Sequence, residues 1–529
     1  MNAPISTGLS RPTTRRALAA VLACMALASC GGGGGSAGGS AVVPDPGVDG
    51  PAWWQYGRDS QHAAQAAIAS NDLNRIAWST PVDLAPPRQS DGSLLIHYGS
   101  PVVTSHNTVV VPVKTQLAGG FRLEARSGGN GGLIWSANTD YALPPHNWVP
   151  SYGVSLSTGN RLYAAGAGGK LMVKDDADAA SGALRTVVFY GAAAYAANPA
   201  AFDASVFVDT PVTVDAQGTA YFGFEVTGAN PAGLVSGIAR VDANGVGTWT
   251  SASFAAGDAA IEKVAMNSAP ALSPDGKTLY VAVNTPRQVG VNQVGYLLAL
   301  DSATLGVKSR TVLSDPAGTL ARVDDDSSAS PTVGPDGDVY YGVLETTFGS
   351  HNARGWLLHF DASLAPKGAP GGFGWDTTPS IVPASMVPSY AGSSSYLLMT
   401  KYNNYAGIGS GDGVNRLAVI DPNASQTDSI SGRPIMREVL TVVGPTFASG
   451  TSGPVEEWCI NTAAVDPATQ SILVNSEDGY LYRWDMVTGK LTQRIQLTSG
   501  VGEAYTPTAI GADGKVYAIN NAVLFSIAK

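Results

Sequence analysis

The feature that most constrains this chain is a recurring strand, turn, strand phrase. At Ser330 it reads SPTVGPDGDVYYGVL and resumes after a loop as GWLLHFDASL. Residues 331–333 predict a short strand, Pro335, Asp336 and Gly337 a turn, residues 339–344 a second strand and residues 356–360 a third. Short runs rich in β-branched and aromatic residues, punctuated by Asp-Gly, fold as hairpins. The same phrase opens at Ala269 (APALSPDGKTLYVAV, then GYLLALDSATL) and at Thr210 (TPVTVDAQGTAYFGF), which puts Pro211, Pro270 and Pro331 59 and 61 residues apart. More divergent copies start at Ser100, Ser151, Ser389, Asn461 and Thr506, eight in all. Such units bury their faces only against one another, so the expected architecture is a ring.

The last copy supplies strands at 506–510, 515–519 and 522–527 but no fourth, while residues 74–80 (NRIAWST) form an unassigned apolar strand ahead of the first copy. Pairing the two removes a pair of exposed sheet edges. The expected fold is therefore all-β: an eight-bladed β-propeller of four-stranded antiparallel blades, closed by an N-terminal strand that joins the C-terminal blade. Seven blades are the alternative, because the copies at Ser389 and Asn461 are irregular.

Residues 1–29 read as a processing segment. Arg11, Arg15 and Arg16 precede an uncharged apolar run at 17–28 that is too short to span a bilayer, and LASC follows, ending at Cys30. This resembles a bacterial lipoprotein signal, which implies lipidation of Cys30. Residues 30–50 then form a Gly/Ser-rich tether, and 51–529 the propeller domain. Gly31 after the cysteine fits outer-membrane sorting, with the protein facing the periplasm or the cell surface. Without the leader, 28 basic residues face 41 acidic ones, a formal charge of −13 that opposes nucleic acid as a partner. Cys459 is then the one cysteine of the folded part, so no internal disulfide forms there, and a buried structural thiol is its simplest role.

The segment WWQYGRDSQHAA at 53–64, Trp78, and the cores DGDVYYG, GYLLALD and GYLYRWD with TGKL resemble the quinoprotein dehydrogenase-like, or pyrroloquinoline-quinone-like repeat, propellers. The resemblance covers 53–529. In the enzyme branch it implies an acidic general base, a calcium or lanthanide ion held by carboxylate and amide ligands, aromatics stacked on the quinone and, in many alcohol dehydrogenases, adjacent bonded cysteines. The adjacent cysteines are absent here, as is C-x-x-C-H. There is no H-E-x-x-H or G-x-S-x-G either. Asp324, Asp325 and Asp326 form the densest acidic run and are the candidate metal ligands, with a solvated turn as the simpler reading. Trp148, Tyr152, His351, Trp375, Tyr390, Trp458 and Tyr505 sit at or beside long loops and are the candidate ligand or partner contacts, inter-blade packing being the simpler account of each.

With a tether, a closed scaffold and no strong catalytic constellation, the expected function is a non-catalytic, lipid-anchored propeller that binds a protein partner at the outer membrane, with no cofactor. The alternatives are periplasmic oxidation of an alcohol or sugar by pyrroloquinoline quinone with Ca2+, and glycan binding.

Overall fold

A computed structural model of the chain describes residues 49–529, except Asp91, Leu95, residues 147–151 and residues 501–503. The leader, Cys30, the tether to residue 48 and Trp148 lie outside the described residues.

Eight antiparallel sheets follow one another along the chain. Blade 1 runs through Val102–Val103, Thr108–Gln116, Gly119–Ser127 and Leu133–Thr139. Blade 8 is closed by the N-terminal strand, as its missing fourth strand required: Arg75–Pro81 lies antiparallel to Val523–Ala528, with Arg75 opposite Ala528 and Pro81 opposite Val523. Blade 6 corrects the sequence reading of one copy. Its innermost strand is Ser380–Pro383, directly after Thr378 and Pro379, and Ser389 lies in the connection to the second strand, Tyr396–Tyr402. The Thr-Pro start common to other copies was thus present, one strand earlier. Blade 5 keeps three regular strands, Thr332–Val333, Val339–Val343 and Trp356–Phe360. Its outer position is filled by an irregular segment, where Lys367 N donates to His359 O (2.9 Å) and Gly371 N to Leu357 O (2.8 Å).

Middle strands are covered on both faces by neighbouring blades, which is why they read as continuous apolar runs. Leu279, Tyr280, Val281, Ala282 and Val283 are all fully buried. Outer strands have one wet face, and Lys490–Gln496 alternates exposed with half-buried residues. Adjacent blades are also stitched by hydroxyls on the inner strands. Ser155 donates to Val212 O (2.5 Å), Thr213 to Pro270 O (2.5 Å), Thr332 to Pro379 O (3.0 Å), Ser380 to Ala463 O (2.7 Å) and Thr506 to Tyr98 O (3.0 Å). Two of these acceptors, Pro270 O and Pro379 O, belong to residues with no N–H of their own.

The WWQYGRDSQHAA segment turns out to be a collar. Trp53 exchanges backbone hydrogen bonds with Val103 of blade 1, and Trp54 O accepts from Leu156 of blade 2. Gln55 pairs through its side-chain amide with both backbone groups of Val214 in blade 3. Ser60 O, Gln61 O, Ala63 O and Ala64 O then accept from Leu272, Val333, Ile381 and Val465 of blades 4, 5, 6 and 7, and Asn71 N donates to Gly514 O of blade 8. The collar visits the blades in order, at the end where each inner strand enters its hairpin turn. A cavity of about 10 Å³ lies between collar and inner strands, bordered by Tyr56, Tyr98 and Pro211. That is about the least space that holds one water, and the collar covers this end of the axis.

Candidate functional site at the open end of the axis

At the opposite end, three consecutive blades depart from the regular inner strand in the same way. In blade 3, Val206–Val208 and Thr213–Val214 both pair with Ala220–Val226, and the residues between leave the ladder. In blade 4, Lys263–Val264 and Ala271–Leu272 both pair with Thr278–Asn284. In blade 5, Arg322 bridges to Leu344 before Thr332–Val333 pairs with the same hairpin. Such interruptions re-aim side chains out of the sheet. The three excursions carry Asp209, Asn267 and the run Asp324 to Asp326 at corresponding places.

Lys263 organises the charges there. Its Nζ donates to Asp325 Oδ1 (2.6 Å), and both side chains are fully enclosed. Asp325 also accepts from Met266 N (3.1 Å), Asn284 Nδ2 (2.9 Å) and Gln293 Nε2 (3.0 Å). Burial alone raises this carboxyl, but Lys263 and these donors outweigh it and bring the pKa down to about 2. Asp324 accepts from Arg322 and from Gln293 N (3.2 Å). Asp326, the most exposed of the three, faces His146 Nε2 at 3.2 Å and Arg287 at 3.7 Å. The acidic run is therefore divided among three different sets of partners.

Asp209 differs from all of these. It is 1% exposed, and neither carboxylate oxygen has a hydrogen-bond partner in another residue among the described residues. Burial raises its pKa well above the usual range; Lys263 opposes this, while Glu225 and Asp325 add to it. Glu225 has an unpartnered Oε2 and is likewise raised by burial. Asn284, which holds Asp325 through its N–H, leaves its own Oδ1 unpartnered. Burying a polar group without a partner costs of order 2–7 kcal/mol, so the oxygens of Asp209, Glu225 and Asn284 that lack a partner among the described residues are the candidate ligands for an added cation at this end.

A polar network continues across blades 5 to 7. The hydroxyl of Tyr56, projecting from the collar, meets Thr378 Oγ1 at 2.8 Å and donates to Asn461 Oδ1. Asn461 Nδ2 donates to Ser328 Oγ (2.7 Å), and Asp376 Oδ1 accepts from the backbone N–H (2.5 Å) and hydroxyl of Ser328. Asp376 Oδ2 lies 3.7 Å from the buried Lys401 Nζ, which sits 5.6 Å from the ring centre of Tyr505. His97 meets the same ring edge-on at 4.6 Å, and burial lowers its pKa.

The candidate contacts scatter. Tyr505 joins the open end, and Asp326 borders it. Trp458 has its backbone there, clamped by Asn403, which accepts from Trp458 N (3.1 Å) and donates to its carbonyl (3.2 Å), but its ring packs edge-on against Tyr482 in the core. Trp375 is buried among Tyr340, Phe373 and Tyr396 between blades 5 and 6. Tyr152 stacks on Tyr141 (4.2 Å) and donates to Ala165 O. His351 stacks flat on Trp356 (3.8 Å) and bonds Asp428 (3.2 Å). Tyr390 donates to Asp421 (2.8 Å). The structure adds Asp209, Glu225, Lys263, Asn284, Asp376 and Lys401. Two of these carried a signal: Asp209 and Asp376 immediately precede the Thr-Pro and Thr-Thr-Pro that open copies.

No protein-family model matches the chain, and neither does any curated protein. Solved structures do. The chain is similar to a europium-containing methanol dehydrogenase (12% identity, TM-score 0.56, 88% of each chain) and to the quinohemoprotein alcohol dehydrogenase of Comamonas testosteroni (12%, 0.55, 90% of this chain and 81% of that one). It also matches BamB from Moraxella catarrhalis at TM-score 0.43 and 15% identity, over 85% of this chain and 98% of that one. At these identities the likeness establishes the shared eight-bladed fold. The expectation of a non-catalytic scaffold is corrected, since two of the matches with TM-scores above 0.5 are dehydrogenases. The expectation of no cofactor is corrected with it, since Glu457, Cys459 and Glu477 bring metal-ligating atoms within 4.8 Å of one another.

Proposed function

We propose that this chain is an oxidoreductase of the cell envelope, oxidising an alcohol or sugar with pyrroloquinoline quinone and a calcium or lanthanide ion at the open end of the propeller axis. The observation that carries the reading is Asp209, a buried carboxylate with both oxygens unpartnered beside Glu225 and Lys263. The donor chemistry fits the cation of such enzymes: Asp209, Glu225 and Asn284 offer only oxygen, which hard ions take. These three residues would hold it. When bound, the quinone supplies the two-electron oxidant and the metal polarises it.

The rest falls to the chain. Lys263 compensates Asp325, keeping that carboxylate ionised without spending the oxygens of Asp209. Asp326, paired to His146 and the most accessible carboxylate of its run, is placed to take the proton of a substrate hydroxyl on Oδ1 and share it with His146 Nε2. Lys401 and the rings of Tyr505 and His97 pack beside this pair, and the collar covers the other end of the axis. The reading places the protein on the outer membrane through a lipid on Cys30, supported by the LASC motif and Gly31.

The test is dye-linked oxidation after reconstitution with pyrroloquinoline quinone and Ca2+ or a lanthanide, over alcohols and aldoses. Turnover in the parent chain and its loss in Asp209→Asn support the assignment. Stoichiometric absence of quinone binding with no turnover across the panel would remove it.

A further inference from the structure

The second group of metal-ligating atoms stands on blade 7 and has a different chemistry. Residues 457–459 run just before the inner strand Ala464–Asp466, and side chains alternate there. Trp458 goes into the core, while Glu457 and Cys459 meet on the other side, Cys459 Sγ donating to Glu457 Oε1 at 2.9 Å. Glu477 arrives from the turn between the second and third strands of the same blade, Ser471–Asn475 and Tyr480–Asp485. One sulfur and two carboxylate oxygens then lie within 4.8 Å of one another. Ligand bonds of about 2.3 Å to sulfur and 2.0–2.2 Å to oxygen span up to about 4.5 Å, so a few tenths of an ångström of glutamate side-chain adjustment let a single ion reach all three.

Both arms of the group are fixed. Asn403, fully buried in blade 6, grips the N–H and C=O of Trp458. The turn bearing Glu477 is held by Asp478, which accepts from Tyr482 (2.6 Å) and Thr446 (2.7 Å), and by Gly479 at φ +87°, where a Cβ would come 2.5 Å from Thr498 O. Cys459 is buried, whereas Glu457 and Glu477 are each half-buried. The oxygens therefore face a side from which an ion and its waters can approach.

We infer that Glu457, Cys459 and Glu477 form a second metal site, for a borderline divalent ion of the zinc, cobalt or copper kind, with at least one coordination position left to water. Thiolate sulfur selects such ions and is a poor ligand for calcium, magnesium or lanthanides, so this site and the oxygen-only set at Asp209 divide the metals between them. Binding replaces the thiol proton: the S–H bond breaks, the proton leaves to solvent, and the sulfur lone pair goes to the metal. The inference does not depend on dehydrogenase activity.

Cobalt titration of the full chain tests it, with Cys24 and Cys30 replaced by serine so that Cys459 is the single thiol. The expected result is one equivalent of Co2+ bound, with a sulfur-to-cobalt charge-transfer band that Zn2+ abolishes and excess Ca2+ leaves intact. Cys459→Ser should remove the band. Glu477→Gln, whose circular dichroism should match the parent, should weaken cobalt binding by about tenfold or more, the scale on which metal sites respond to lost support. Folded protein without the band, a band surviving in Cys459→Ser, or unchanged affinity in Glu477→Gln would each overturn the assignment.

Discussion

The two ends of this propeller's axis are built from opposite materials. At the closed end the collar meets every blade, mostly through backbone N–H and C=O groups, and its one inserted histidine, His62, is fully buried with Nδ1 bonded to Pro331 O (2.7 Å). At the open end, side chains do the joining, and several buried oxygens have no partner among the described residues. Backbone groups must be paired wherever they are buried, so a collar of backbone contacts serves stability. An unpaired carboxylate lowers stability, and its persistence points to a ligand.

The contrast can be broken most severely at the seam. Deleting Arg75–Pro81 leaves blade 8 with three strands and a raw sheet edge along Val523–Ala528. The expected outcome is loss of cooperative unfolding and aggregation on expression, checked by calorimetry and size-exclusion chromatography. Next in size is Lys263→Met, which strands Asp325 in the interior; a loss of about 3–5 kcal/mol in urea unfolding is expected.

Acid should weaken the closed end through His62. Burial lowers its pKa from 6.5 to about 4, so between those values the unfolded chain binds a proton that the fold refuses. Stability is complete above pH 6.5 and falls as the pH drops toward 4, by about 3 kcal/mol from this residue. His97 and His359 are shifted in the same direction, again by burial. His62→Gln should therefore flatten, without abolishing, the slope of urea midpoint against pH across this window.

The smallest effect on stability is expected where the functional effect is largest. Asp209→Asn removes a carboxyl that has no partner among the described residues, so the unfolding free energy in urea should stay within about 0.5 kcal/mol or rise. Calcium or lanthanide binding, followed by calorimetric titration, should be lost. A fall in stability matching that of Lys263→Met would show that Asp209 is structural and that the two ends do not differ as described.

How much of this was legible in the sequence divides along the same line. The repeat announced the blades because each must cover its neighbours, and residues 74–80 announced the closure because a three-stranded last copy needs a partner. The start of blade 6 was misplaced because SYAGSSS imitates a turn between strands, although Thr378 and Pro379 marked the true beginning. The segment at 53–64 supported only a resemblance: its irregular spacing follows the circle of blade ends, and no local periodicity encodes a circle. Aromatic residues near loops were a poor guide, since Trp375, Tyr152 and His351 fill gaps between blades. The open-end set escaped notice because its members come from different blades. Glu225 and Lys263 have ordinary strand neighbours; the hairpin of blade 3 sets Glu225 near Asp209, and the packing of blade 4 on blade 3 brings Lys263 there.

The most direct test of the account is to locate a lanthanide ion by its anomalous scattering in crystals of the protein. The account predicts an ion at the open end of the axis, ligated by oxygens of Asp209, Glu225 and Asn284. An ordered ion elsewhere with that group empty, or ligation there without Asp209, would contradict it.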